Sequence, residues 1–260
     1  MSKIALITGA SGGIGLEFAR KFAENNFNLI LVARSQDKLE ALAEELRNKH
    51  SVEVQVLPKD LTDPTAPQAI YDQLKSEGSE IDVLVNNAGY ATYGKFHELD
   101  MAREMNMIQL NVMALAHLTR LFLPDMIARK NGKIMNVAST AAFMPGPLMA
   151  TYYATKAFVL HFSEAIANEL QGTGVSVTAL CPGPTESGFQ QRANMEDSKL
   201  VQGGLMSSRT VVDAGYDAMM RGDAVLVPGL KNQIQIFTPR LLPRRAVTGV
   251  VRNVQERVSH

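Results

Sequence analysis

The sequence predicts an α/β protein built on one doubly wound parallel sheet of about seven strands, with helices on both faces. Three observations predict it. Short runs of Val, Ile, Leu and Ala alternate with longer helical patterns through most of the 260 residues. The short runs are nearly continuous in apolar residues, as strands covered on both faces require. The connections are short, which implies right-handed crossovers between parallel strands.

The strands are expected at 4–8, 28–33, 53–57, 83–86, 133–137, 176–180 and 224–227. Between the second and third, residues 36–49 place Leu39, Leu42 and Leu46 three and four apart, which forms one apolar stripe on a helix. Asp63 and Pro64 read as the cap and first turn of another helix. Longer helices are expected over 101–129 and 152–170. Two stretches break the rhythm. Residues 184–210 are rich in Gly, Ser, Gln and Met and read as a mobile segment beyond a strand end. Residues 228–260 carry Lys231, Arg240, Arg244, Arg245, Arg252 and Arg257 against Glu256 alone. No repeat or linker divides the chain, so a single domain over 1–230 with a basic extension over 231–260 is expected.

Apolar residues make up 46% and charged residues 20%, the balance of a globular protein with a real core. A formal net charge of zero argues against a nucleic-acid binder. The single cysteine, Cys181, excludes an internal disulfide and suits a reducing compartment. The first strand starts almost at the first residue, so no signal peptide is expected. The longest apolar run, 110–127, is interrupted by Asn111, His117, Arg120 and Asp125, short of what a spanning helix needs. The expectation is a cytoplasmic protein without metal.

Directly after the first strand comes Thr8-Gly9-Ala10-Ser11-Gly12-Gly13-Ile14-Gly15, followed by the helical pattern LEFARKFAEN. Glycines permit a tight turn and let backbone approach a pyrophosphate at the positive end of the next helix. The placement between strand and helix turns a weak signal into a dinucleotide site. The spacing is Gly-x-x-x-Gly-x-Gly, from Gly9 to Gly13 to Gly15. Such a site reads the adenosine ribose at the end of the second strand. An acidic side chain there accepts from the 2′-hydroxyl, whereas an arginine accommodates a 2′-phosphate. Here the strand ends in Ala33 and Arg34, with Ser35 and Lys38 able to assist. The expected cofactor is NADP(H).

Three segments then bring chemistry to the carboxyl ends of the strands: Asn86-Asn87-Ala88-Gly89, Ser139, and Tyr152-Tyr153-Ala154-Thr155-Lys156. Together with the glycine loop, they make the chain resemble the short-chain dehydrogenase/reductase family over about residues 3–230. The LILVAR, YxATKAFV and CPGPT stretches resemble its DltE-type branch. The resemblance implies a Rossmann-type fold, interconversion of a carbonyl and an alcohol by hydride transfer, and a homodimer or homotetramer through the long helices.

By that resemblance Tyr152 is the proton donor for reduction and the acceptor for oxidation. A phenol has a reference pKa of about 10, too high for a good base at neutral pH. Lys156 lies one helical turn on, where an ammonium favours the phenolate and can also hold the nicotinamide ribose. Tyr153 is a rival that the Tyr-x-x-x-Lys spacing rejects. Ser139 is expected to polarise the substrate oxygen, with Thr140 as a second hydroxyl beside it. Asn111 reads by itself as a satisfied core polar residue; the resemblance makes it the fourth catalytic position, holding a water that relays protons to the lysine. The resemblance further puts Ser11, Ile14, Asp60, Leu61, Asn87, Ala88, Gly89, Pro182, Gly183 and Thr185 around the cofactor. Ser187 stands where many relatives have threonine. Cys181 is expected to be buried rather than catalytic.

Phe143, Met144, Leu148, Met149, Phe189 and Met206 fall in the loops around the expected site and favour an apolar carbonyl substrate, with 184–210 as the substrate loop. A non-catalytic NADP(H) sensor on the same fold is the alternative, though a sensor has no need of a proton relay. Attachment of the basic tail to a membrane surface is a further alternative, weakened by two prolines and a glycine.

Overall fold

The computed structural model describes residues 3–195, 197–199 and 204–257. Parts of the segment expected to be mobile (196 and 200–203), the end of the basic extension (258–260) and the side chain of Arg240 lie outside the described residues. Seven parallel strands form the sheet: β1 Ile4–Thr8, β2 Asn28–Ala33, β3 Val54–Pro58, β4 Val83–Asn86, β5 Gly132–Val137, β6 Val175–Leu180 and, at the edge, β9 Val225–Leu226. Their order is β3-β2-β1-β4-β5-β6-β9. The predicted strands match to within a residue or two at each end.

The unbroken apolar runs have a direct cause. Along β1, Ala5 and Ile7 face one core while Leu6 faces the other, and along β2 Leu29 and Leu31 oppose Ile30 and Val32. One layer holds α1 Gly13–Glu24, α2 Gln36–His50 and α8 Ser208–Arg221. Its core joins Phe18 and Phe22 of α1 to Leu39, Leu42 and Leu46 of α2 and to Val211, Val212 and Met219 of α8. The other layer holds α3 Ala66–Ser76, α5 Leu115–Ala128 and α6 Ala150–Glu169. There Ile70 and Leu74 of α3 meet Leu118, Phe122 and Met126 of α5.

Some elements differ from expectation. The helix expected from Asp63 starts at Ala66, with a proline at 67 in its first turn. The Asp63 carboxylate is already engaged by the preceding turn, accepting from the Thr65 amide at 2.8 Å and its hydroxyl at 2.7 Å. The helix expected over 101–129 is α4 Met101–Ile108 and α5, joined without a break in helical backbone by a π-helical turn, Gln109–Ala114. The stretch expected to be mobile contains order: β7 Thr185–Glu186 pairs with β8 Met206–Ser207, and α7 Phe189–Ala193 follows β7. The basic extension folds into α9 Leu230–Phe237 and α10 Arg244–Gln255, and Gly249 does not interrupt α10. Val247 and Val251 pack with Tyr152, Tyr153 and Met149. The extension is thus part of the body of the protein.

The strand order reverses between β1 and β4, which opens a crevice beyond their carboxyl ends. In doubly wound sheets this is where ligands bind.

Candidate active site

A cleft of about 580 Å³ runs from Arg34 across the switch point to Tyr152 and Gln190. Of the residues singled out in the sequence, Gly9, Ser11, Gly13, Ile14, Arg34, Asp60, Leu61, Asn87, Ala88, Gly89, Ser139, Tyr152, Lys156, Pro182, Gly183 and Thr185 line it. Gly15 and Asn111 do not. Gly15 packs beneath the loop, where a side chain would collide with the Gly9 carbonyl and the Asn87 amide.

The glycine loop is held open from below. Gly9 turns at φ +66°, and a Cβ there would sit 2.7 Å from Asn87 Nδ2. Asn87 Nδ2 donates to the Thr8 carbonyl at 2.9 Å. The Thr8 hydroxyl accepts from the amides of Asn87 and Ala88 and donates to the Val85 carbonyl. The end of β4 thereby fixes the turn after β1; the part Thr8 plays carries no sequence signal, because a buried threonine in a strand has none. No side chain caps the amino end of α1, and nothing stands within 4 Å of where a Gly12 side chain would be. Ser187 packs against Gly13 at the start of the helix, and the uncapped helix end with open space at Gly12 suits a phosphate, so this cradle fits a dinucleotide.

At the end of β2 the Arg34 side chain is 75% exposed, with Nη1 3.9 Å from Asp60 Oδ2. Ser35 and Lys38 line the same end of the cleft, joined by Lys59, which the sequence reading missed. Asp60 is committed to its own turn, accepting from the Thr62 amide at 2.9 Å and hydroxyl at 2.8 Å. Its other oxygen, Oδ2, is the one beside Arg34.

At the other end, α6 presents Tyr152 and Lys156 inward, both buried. The Lys156 ammonium lies 5.8 Å from the Tyr152 ring centre and donates to the Val137 carbonyl at 2.7 Å. Burial pushes the Tyr152 phenol well above its ordinary pKa, opposed by a hydrogen bond with the Ser139 side chain. The phenol is held protonated. Burial also lowers Lys156 to about 8. Ser139 Oγ accepts from the Ala141 amide at 3.1 Å, which orients the hydroxyl at the strand end. Thr140 also lines the cleft. Tyr153 reaches the cleft too, but its hydroxyl accepts from Gln255 Nε2 and burial pushes it up to about 12.

Asn111 is buried in the π-helical turn. Its side chain accepts from the Tyr90 amide at 3.2 Å and donates to the Tyr90 carbonyl at 3.0 Å and to Thr155 Oγ1 at 3.2 Å. It sits against Gly89, whose Cα also faces Lys156 Nζ. Cys181 is buried, as expected, and its thiol is pushed up to about 12.

Met144, Met149 and Phe189 line the cleft wall beyond Tyr152, whereas Phe143, Leu148 and Met206 do not. Phe143 instead packs behind β5 and β6 with Ala138 and Cys181. Met195 and Gln255 also line the cleft and were missed in the sequence. The signal for Gln255 is its place with Val247 and Val251 at intervals of four along α10, the buried face of that helix.

With this geometry the comparisons with known proteins agree. Residues 3–198 match the family model described as short chain dehydrogenase. Sulfoacetaldehyde reductase 2 of Chromohalobacter salexigens is 40% identical over 191 residues, 73% of this chain and 75% of that protein. The human very-long-chain 3-oxoacyl-CoA reductase is 35% identical over 184 residues, 68% of this chain and 58% of that longer protein. The match spans 52% of the corresponding reductase of Pyrenophora tritici-repentis, so the chain parallels little more than half of these relatives. Among solved structures, a short-chain dehydrogenase from Sphingobium yanoikuyae in complex with NADPH superposes with a TM-score of 0.83 at 34% identity, over 92% of this chain and 94% of that one. The bulky-bulky ketone specific alcohol dehydrogenase from Comamonas testosteroni gives 0.78 at 30% identity, over 92% of each chain. None of these names bears on the DltE-type branch. On the motif order, the seven-stranded sheet and the matched length, this chain belongs to the short-chain dehydrogenase family of oxidoreductases.

Proposed function

We propose that the protein is an NADP(H)-dependent reductase or dehydrogenase that interconverts an apolar carbonyl compound and its alcohol, with Tyr152 as proton donor and acceptor. The observation that carries this reading is the convergence of Ser139, Tyr152 and Lys156 in the same cleft as the glycine loop and Arg34. NADP(H), when bound, supplies or accepts the hydride. Gly9, Ser11, Gly13 and Ile14 would hold its pyrophosphate, with Gly15 keeping helix and loop close. Asp60, Leu61, Asn87, Ala88 and Gly89 would flank the adenosine half, and Pro182, Gly183 and Thr185 the nicotinamide half.

The protein's own residues divide the remaining work. Ser139 holds the substrate oxygen where negative charge develops. Tyr152, kept neutral by burial, gives its proton to that oxygen. Lys156 supplies positive charge beside the phenol. Asn111, held by Tyr90 and Thr155, is the fourth catalytic position and would hold a water that relays protons to the lysine. Met144, Met149, Phe189 and Met195 favour an apolar substrate. Three placements belong to the same proposal: the DltE-type branch, resting on the LILVAR, YxATKAFV and CPGPT stretches; a cytoplasmic setting, resting on the single buried Cys181; and a homo-oligomer through α4, α5 and α6, where Met101, Met105, Met113 and Phe158 are exposed.

The cofactor preference is tested at Arg34. Its guanidinium can make charge-assisted bonds to a 2′-phosphate, so Arg34→Ala should weaken NADPH by roughly ten- to a hundredfold while NADH changes little. Adding Ala33→Asp should favour NADH, because a carboxylate accepts from the 2′-hydroxyl and repels the phosphate. Fluorescence titration of both cofactors against parent and variants measures this. A parent that prefers NADH would remove the NADP(H) reading and leave the chemistry at Tyr152 standing.

A pH profile tests Lys156. Its ammonium is present below about pH 8 and is lost above it, so turnover in the reductive direction should decline as pH rises through that value. A profile flat to pH 10 at saturating NADPH would show that the lysine charge does not assist the phenol.

A further inference from the structure

The exposed large apolar side chains of the described residues fall mainly in two regions. One lies on α4 to α6, the face assigned above to self-association. The other lies within residues 230–254. Leu230, Ile234 and Phe237 recur at intervals of four and three along α9 and so share one side of it, and Leu241 continues the row one turn on. They are 72, 60, 54 and 73% exposed. The opposite side of α9 is anchored. Asn232 is buried and donates to the Pro228 carbonyl at 2.7 Å, and Ile236 packs on the cluster of Val227 and Cys181. The apolar row therefore stands on a fixed backing.

Positive charge lies beside this row. Arg244 and Arg245 open α10, three and four residues after Leu241, so chain connectivity keeps them within about 15 Å of it. Both are exposed, and no ion pair engages either among the described residues. Further along α10, Val250, Arg252 and Val254 are exposed while Val247, Val251 and Gln255 face the body. From 228 to 260 the only acidic residue is Glu256, which lies 3.4 Å from Arg252.

Two occupants would cover an apolar row of this kind. A second copy across a two-fold axis brings the same surface against itself, and with it two arginine clusters of like charge. An anionic bilayer meets both features at once: apolar side chains enter the boundary between headgroups and acyl chains, and guanidinium groups face lipid phosphates. We propose that the α9–α10 face docks the protein peripherally on anionic lipid bilayers, with Leu230, Ile234, Phe237 and Leu241 inserted and Arg244 and Arg245 at the phosphates. The inference is independent of the catalytic reading. No helix among the described residues is long and apolar enough to cross a membrane, so the contact is interfacial.

Co-sedimentation of the full chain with two vesicle populations tests it: phosphatidylcholine alone, and phosphatidylcholine with phosphatidylglycerol. The parent should bind the anionic vesicles at least tenfold more tightly than the neutral ones, and added salt should weaken that binding. Arg244→Glu with Arg245→Glu should cost tenfold or more, as should Ile234→Ser with Phe237→Ser. All four positions are exposed, and unchanged thermal melting would exclude unfolding as the cause. Equal binding to both vesicle types, or variants that bind like the parent, would overturn the proposal. So would a parent that stays in the supernatant; if its mass by light scattering then fell to a smaller species on Ile234→Ser with Phe237→Ser, the face would belong to a second copy.

Discussion

Replacing Tyr152 by Phe is expected to lower carbonyl reduction by about a hundredfold or more, with NADPH affinity retained. The substitution keeps the ring and removes only the hydroxyl. General acid catalysis by one positioned group contributes about 10²–10⁴ in rate, and Tyr152 is the phenol of the cleft held beside both Ser139 and Lys156. The packing around the ring, against Tyr153 and Phe189, survives the change. Tyr153→Phe removes a hydroxyl tied to Gln255 and should leave turnover nearly intact. Steady-state kinetics of the pair, with melting curves as a control, measure the contrast. If the two variants behaved the other way round, the register of α6 relative to the cleft would be wrong.

Lys156→Ala should lower turnover and cofactor affinity together. Its ammonium lies 5.8 Å from the Tyr152 ring centre and on the cleft wall, and the proposal gives that one charge two roles, beside the phenol and at the nicotinamide ribose. The folded protein should tolerate the change, because burial already disfavours the charged form. Comparing kcat at saturating NADPH with NADPH affinity separates the two roles. Normal kcat with weakened binding would reduce the lysine to a cofactor ligand.

The parts of this account legible in the sequence are those set by short-range pattern. The Gly9–Gly15 loop, Arg34 at the end of β2 and the pair Tyr152 and Lys156 each announce themselves by spacing within one element or one connection. The strands were legible because burial on both faces leaves unbroken apolar runs. What escaped depends on contacts between distant parts of the chain. Gln255 reaches Tyr153 across 102 residues, and nothing local in the basic extension shows that it folds back over the cleft. Asn111 was legible as a buried asparagine, whereas its partners Tyr90 and Thr155, 21 and 44 residues away, emerge only from the fold. The pKa of Tyr152 shows a different limit. Sequence spacing places a lysine one turn away, but burial of the phenol, which spacing does not show, decides the direction of the shift.

The central claim is carbonyl reduction at Tyr152 with NADPH. The most direct test follows NADPH consumption by absorbance as a panel of apolar ketones and aldehydes is added to the parent, to Tyr152→Phe and to Tyr153→Phe. The account predicts substrate-dependent oxidation of NADPH by the parent and by Tyr153→Phe, and almost none by Tyr152→Phe. A parent that binds NADPH tightly yet consumes none across the panel would contradict it and favour a cofactor sensor, and a Tyr152→Phe variant as active as the parent would remove the proposed proton donor.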